Sequence, residues 1–384
     1  MIALFLCSVA FCAYTLFGYP LLLGLVARRR VRPVCKAPWR ATVSIVLPVH
    51  NGERWMAAKL ESIRALRYPA ELVEILVASD GSTDGTATIV QRFASRSKLL
   101  YLALPRGGKA AALNAAMAKA SGQILFFTDV RQQLDAGSLG NLVACFADPH
   151  VGVASGELVI RDGTGVEEAS VGLYWKYEKW IRKQLSRVDS VLGATGCIYA
   201  MRRELAMPLP EGTLNDDMYL PLGAFFRGYR VILDDSALAF DYPTPLASEF
   251  RRKVRTLAGV YQIVGAYPAL LGPRNRMWIH FFSHKLARLL MPWAIIAAAI
   301  ASLALPAPWK AWAIGAQSCA YLLALSDPWL PAGFPLKRLT SPVRTFAVLM
   351  AASLCALAIF FVPARVLWKE TRVSAGHGNH QDQE

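Results

Sequence analysis

The sequence predicts an α/β protein: a Rossmann-like, mostly parallel sheet in a cytoplasmic domain, joined to transmembrane α-helices. Three observations carry that reading. Strand-like and helix-like runs alternate from residue 42 to residue 128. Charge-free apolar stretches, most of them long enough to cross a hydrocarbon core, lie on both sides of that region. And 54% of the residues are apolar while only 18% are charged, a balance too apolar for an ordinary soluble enzyme.

The first element is an anchor. Residues 2–27 carry no charge, and Arg28, Arg29, Arg30 and Arg32 follow them. A signal peptide has its positive charges before the apolar stretch, so residues 1–27 read as a retained transmembrane anchor. The positive-inside rule then places residue 28 onward in the cytoplasm. Residues 28–41 read as a basic linker, 42–245 as the catalytic domain and 246–285 as amphipathic interface helices. Residues 286–364 read as a membrane region of about three spans, because 289–309, 311–326 and 345–364 are free of charge. The 311–326 stretch is short for a span. Residues 365–384 form a polar tail, with 373–384 expected to be disordered. Four spans in all would leave Arg365, Lys369 and Arg372 outside, against the positive-inside rule. One segment is therefore expected to be re-entrant or interfacial, or the charge signal misleads.

Within the catalytic region, "TVSIVLPV" (42–49), "VEILVAS" (73–79), "KLLYLAL" (98–104) and residues 123–128 read as strands. Residues 53–67 place Met56, Leu60, Ile63 and Leu66 on one helical face. Helices are also expected over 86–95, capped from Ser82, Thr83 or Asp84, and over 109–120. A strand repeatedly followed by a helix implies a parallel sheet covered on both faces. Ligands in such sheets sit beyond the carboxyl ends of the strands. The residues there are Pro48 to Asn51, Asp80, Arg106 to Lys109, and Asp129.

The net charge is +15. The basic residues are not interleaved with an RNA- or DNA-binding motif, so no nucleic-acid partner is expected. Anionic lipid and a phosphorylated substrate account for the excess. The seven cysteines show no CxxC spacing, and neither a zinc site nor a disulfide framework is expected.

The motifs "VSIVLPVHN", "SDGSTDGT", "GGKAAALN" and "FFTDVR", followed by "GATGCIYAMRR" (193–203), "NDDMYLPL" (215–222) and "FRRKVRT" (250–256), resemble the family 2 inverting glycosyltransferases of the GT-A fold. The resemblance covers roughly residues 42–260. It implies transfer of a sugar from a nucleoside diphosphate sugar, favouring UDP-sugars, to a lipid-linked or polysaccharide acceptor by single displacement. It also implies an integral protein of a bacterial inner membrane, touching membrane lipids, with the transfer on the cytoplasmic side.

The resemblance implies roles for particular residues. Pro48, Asn51 and Lys109 lie in its nucleotide-sugar site, and Asp80 accepts a hydrogen bond from the base. Asp129 lies near the ribose and diphosphate and is the metal ligand, for Mg²⁺ or Mn²⁺. Asp217 is the general base, with Asp216 the second candidate. Gly193, Ala194, Thr195 and Gly196 form the loop beneath the donor sugar and acceptor. Arg252 and Arg255 take the place of a Gln-x-x-Arg-Trp element, and Arg255 stabilises charge on the departing diphosphate. This sequence departs from the pattern at Arg131, where a second carboxylate is usual, and at Thr256, where a Trp marks long-polymer synthases.

Three readings of Arg131 stay open. The metal binds through Asp129 and phosphate oxygens alone, or Arg131 contacts phosphate itself as a bidentate donor, or Arg131 points away into solvent. A processive polysaccharide synthase and a non-catalytic membrane subunit with a degenerate transferase domain are the alternative functions. Trp175 and Trp180 either stack on sugars or pack in the core. His280, His284 and Arg288, four residues apart, fall on one helical face and are expected to meet lipid headgroups or lipid phosphate.

Overall fold

The computed structural model describes residues 1–94, 98–160, 166–242, 246–331 and 333–367. Lys369, Arg372 and the tail 373–384 lie outside the described residues. The chain divides into two units: Val26–Arg161 with Arg182–Tyr242, and Met1–Leu25 with Asp162–Ile181 and Pro243–Glu384.

The first unit is built on an eight-stranded sheet. Its strands are β1 (Val43–Val49), β2 (Val73–Asp80), β3 (Leu99–Leu104), β4 (Ile124–Phe127), β5 (Gln133–Leu134), β6 (Val151–Ile160), β7 (Tyr199–Arg202) and β8 (Arg230–Asp241). Their spatial order is β3-β2-β1-β4-β7-β6-β8-β5. The first four are parallel, as the alternation predicts. β7 then runs antiparallel to both β4 and β6, which makes the sheet mixed. The chain steps outward from β1 to β3 and returns to place β4 on the other side of β1. That reversal opens a crevice at the carboxyl ends of β1 and β4.

β1 is buried at every position, as a central strand covered on both faces should be. Helix α3 (Glu53–Arg64) contributes Met56, Leu60 and Ile63 to the buried cluster that also holds Ile45, Leu47, Val77 and Phe126. It stops at Arg64 rather than 67, because the chain turns and Arg67 N donates to the Ala136 carbonyl at 2.7 Å. Helix α4 (Thr86–Ala94) starts where expected, with Asp84 Oδ1 accepting Thr86 N at 3.1 Å. Helices α5 (Lys109–Lys119) and α6 (Ser138–Ala144) complete the cover, and α8 (Asp216–Phe226) precedes β8.

Residues 30–41 have no regular structure, yet they are docked. Arg32 pairs with Asp189, and Lys36 pairs with Asp234 at 2.6 Å. Buried Arg230 donates to the carbonyls of Arg32, Pro33, Ser186 and Asp189 at 2.8–3.2 Å.

Among the described residues, three helices are long and apolar enough to cross a membrane: Ile2–Arg29, Trp278–Ser302 and Lys337–Phe360, and these lie wholly or mainly in the second unit. The first comprises α1 (Ile2–Ala13), a π-helical turn and α2 (Tyr19–Arg29); only its start, to Leu25, falls in this unit. Helix α7 (Val166–Val188) likewise begins here. The others are α9 (Leu246–Ala266), α10 (Trp278–His280), α11 (Ala287–Ser302), α12 (Trp309–Ser326), α13 (Lys337–Cys355) and α14 (Ala364–Leu367). The marginal segment forms α12, which has no buried residue and is not among the three candidate spans. Helix α9 buries Ala258, Val260 and Ile263 and packs on α13.

Part of the histidine face is occupied within the chain: His284 is buried, and His280 is half-buried. Glu178 of α7 pairs with Arg288 at 2.5 Å and His284 at 3.3 Å, while His280 meets the Tyr19 hydroxyl at 3.1 Å. His284 and Arg288 do share a face, but a buried carboxylate covers it, because charge in an apolar setting needs a partner.

Candidate active site

The rim of the sheet begins with Asp80, the last residue of β2 and 4% exposed. Its Oδ1 accepts the backbone N–H groups of Gly107 at 2.6 Å and Gly108 at 2.9 Å, and its Oδ2 accepts from Arg106 at 2.5 Å. Asp80 thereby shapes the turn that opens α5. Gly108 at φ +87° makes that turn, a conformation disfavoured for residues with a Cβ. Opposite, Asn51 at φ +48° accepts Thr83 N at 2.9 Å, and Glu53 accepts Gly85 N at 2.9 Å. Pro48 is buried inside β1, so it offers no open surface; His50 and Asn51 stand at this end of the strand instead.

The turn delivers Lys109. Its Nζ lies 3.1 Å from Asp129 and 3.2 Å from Asp216. Burial alone would lower the pKa of this ammonium, but Asp129, Asp216 and Asp217 outweigh it and raise the pKa above that of an ordinary lysine. Asp216 and Asp217 occupy the first turn of α8, where the helix dipole favours carboxylates. Asp216 is buried; Asp217 is only half-buried.

The loop 193–196 lies against Asp217. Ala194 N donates to the Asp217 carbonyl at 2.7 Å. A Cβ on Gly196 would stand 3.0 Å from Asp217 Oδ2, so the glycine admits that carboxylate. Thr195 donates to the Gly156 carbonyl at 2.7 Å, and Arg182 of α7 reaches Thr195, Ser155 and the Gly193 carbonyl at 2.9–3.2 Å. One unit thus gathers Asp80, Lys109, Asp129, Asp216, Asp217 and the 193–196 loop.

Arg131 does not point into solvent. It pairs with Asp241, at the end of β8, at 2.5 Å, and Gln132 donates to the same carboxylate at 2.8 Å. The sequence gives no local sign of this partner, which lies 110 residues away. With Arg131 so engaged, the turn offers a metal one protein carboxylate, Asp129, whose side chain is 37% exposed. That fits a hard cation held mainly by phosphate oxygens. Among the described residues, no group of three or more His, Cys, Asp or Glu side chains is placed to hold a metal by itself.

Arg252 and Arg255 belong to the other unit, on α9. Arg252 pairs with Glu249 at 2.6 Å and lies over Trp175, whose ring centroid is 5.0 Å away. Trp175 therefore has a cation against it, while Trp180 is exposed.

Lys59 escaped the sequence reading. It is 1% exposed, and donates to Thr128 Oγ1 and the Gln132 carbonyl, each at 2.6 Å. Its place three residues after Met56 and four before Ile63 put it on the apolar stripe, which was the available signal.

Residues 44–208 match the profile of the family described as Glycosyl transferase family 2. The fold is similar to that of the mannosyltransferase PcManGT from Pyrobaculum calidifontis, solved in complex with GDP-Man and Mn²⁺. That comparison has a TM-score of 0.72 and 25% identity, and covers 93% of this chain and 99% of that one. Among sequence relatives, the probable glycosyltransferase YdaM of Bacillus subtilis is 22% identical over 58% of this chain and 56% of its own length. The poly(ribitol-phosphate) β-N-acetylglucosaminyltransferase TarS of Staphylococcus aureus is 26% identical over 50% of this chain and 34% of its own length. The poly-β-1,6-N-acetyl-D-glucosamine synthase of the same species is 21% identical over 58% of this chain and 55% of its own length. The chain thus spans about half or less of the length of these relatives.

Burial pushes the Lys59 pKa down from 10.5 to about 7. Between those values the unfolded chain binds more protons than the folded one, so stability rises with pH from about 7 to about 10.5. Below about pH 7 the cost of the buried charge is borne in full. Lys59→Met removes the group, so its unfolding midpoint should rise less than the wild type's between about pH 6.5 and 9. Equal slopes in the two proteins would contradict this origin.

Proposed function

We propose that this chain, whose residues 44–208 form a family 2 glycosyltransferase domain of the GT-A fold, moves a sugar from a nucleoside diphosphate sugar to a lipid-linked or growing polysaccharide acceptor at a membrane surface. The observation that carries the proposal is the convergence of Asp129, Asp216 and Asp217 around the Lys109 ammonium at the rim of the sheet.

The chemistry is a single displacement. The acceptor oxygen bonds to the anomeric carbon as the bond to the diphosphate oxygen breaks, and that electron pair leaves with the nucleoside diphosphate. Asp217 takes the proton of the attacking hydroxyl, and the configuration inverts. Asp217 suits this role better than Asp216, because Asp216 is buried against Lys109 while Asp217 is half-open beside the 193–196 loop. Lys109 places positive charge toward the diphosphate, while Arg131 is held by Asp241. Asp129 would hold a divalent ion, Mg²⁺ or Mn²⁺, which when bound neutralises the leaving diphosphate.

The donor base has two readings. The sequence resemblance favours UDP, whereas the PcManGT structure holds GDP-Man. A carboxylate such as Asp80 accepts from the ring N–H of uracil or guanine alike. Against processive synthesis stands Thr256, whose hydroxyl turns back to the Arg252 carbonyl at 2.8 Å and offers no aromatic platform.

Topology follows from the three candidate spans. If α12 does not cross, the chain enters the cytoplasm after α2, leaves through α11 and returns through α13. Arg365 then lies inside, as the positive-inside rule prefers. Lys337 and Arg344, in the first half of α13, are both paired with buried Asp327, at 3.3 and 3.2 Å.

Membranes containing the chain should transfer label from one of a panel of UDP- and GDP-sugars into an organic extract. Asp217→Asn should lower transfer at least about 100-fold while still binding the nucleoside diphosphate; transfer at the normal rate removes Asp217 from the mechanism. Excess chelator should abolish transfer, and full activity in chelator would exclude the metal at Asp129. For the topology, a thiol reagent that cannot cross membranes should fail to label a lone cysteine placed at residue 362 from outside intact cells; labelling there would mean that α12 crosses.

A further inference from the structure

Lys59 occupies a costly place. It is among the largest fully buried side chains, in the company of Phe126, Leu47 and Met56. Among the described residues no carboxylate lies within ion-pairing distance of its Nζ; its partners are two uncharged oxygens. A buried charge with no counter-ion destabilises a fold unless its hydrogen bonds are good, and a sequence can bear such a cost where function needs it.

The two oxygens flank the diphosphate-facing turn. Thr128 is the residue before Asp129, and Gln132 is the residue after Arg131. One amino group therefore bridges residues 128 and 132. The Thr128 hydroxyl passes the connection on, donating to the Cys197 carbonyl at 2.8 Å, one residue beyond the 193–196 loop. The Gln132 amide passes it the other way, to Asp241, which also takes Arg131. Asp129 itself contacts Lys109 from the open side. Lys59 thus holds the two residues that bracket Asp129 and Arg131 without touching either charge.

We propose that Lys59 is a positioning residue for the transfer: a buried amino group on α3 that clips residues 128 and 132 together and so fixes the turn presenting Asp129 to the donor diphosphate. This rests on the glycosyltransferase reading above. A mere space-filling role is the competing explanation, and methionine, of similar length and without donors, separates the two.

The test compares the detergent-purified full chain with its Lys59→Met variant by amide hydrogen exchange and by transfer kinetics. The clip predicts about tenfold faster exchange across 128–134 and 193–198, with β1 to β3 unchanged. It also predicts a donor KM raised about tenfold at an unchanged acceptor KM, a split that simple loss of folded protein would not produce. Unchanged protection of 128–134, or a donor KM within about threefold of the wild type, overturns it. If Lys59→Met does not fold, Thr128→Val removes one of the two accepting oxygens at nearly constant shape and carries the same comparison. Should the wild type transfer sugar from no donor, the glycosyltransferase reading falls, and the exchange result alone decides whether the clip stands.

Discussion

The site depends on one ammonium group held by two carboxylates. Lys109 sits 3.1 Å from Asp129 and 3.2 Å from Asp216, and these three residues come from the start of α5, the end of β4 and the start of α8. Without the cation, several acids would crowd a partly dry crevice and repel one another. With it, they share one rim and the half-exposed faces of Asp129 and Asp217 remain available. The Asp80 turn serves the same end, because it fixes the backbone from which Lys109 projects.

Much of this frame was legible in the sequence. The first four strands announce themselves as short apolar runs, and the acids of the site stand just after such runs or at a helix start. The second half of the sheet was harder. β6 contains Gly152 and Gly156, and β8 carries Asp234, Asp235 and Ser236 in its middle. The register between these two strands shifts twice, so neither run keeps a clean period of two. The partners of Arg131 and Lys59 were invisible for a different reason: both are made by tertiary approach, Asp241 across the sheet and Thr128 from a neighbouring strand end. A lysine also reads as a solvent-facing residue unless its place on the apolar stripe is weighed.

The unit bearing the remaining candidate spans follows the same electrostatic rule in an apolar setting. Glu178 holds His284 and Arg288, and Asp327 holds Lys337, Arg344 and Thr340. The sequence showed the basic residues and their helical spacing, but the acids that receive them lie on other elements. That is why the carboxylate partner of His284 and Arg288 could not be read from their helical spacing. The basic run after α2 behaves similarly, since Arg32 and Lys36 are tied to Asp189 and Asp234.

The central claim is that Lys109 and Asp129 act as one unit in holding the nucleoside diphosphate. A double-mutant cycle on its binding, measured by calorimetry with Lys109→Met, Asp129→Asn and the double variant, addresses this directly. The account predicts a coupling of about 1–3 kcal/mol between the two positions. Strictly additive losses, or binding indifferent to both substitutions, would contradict it.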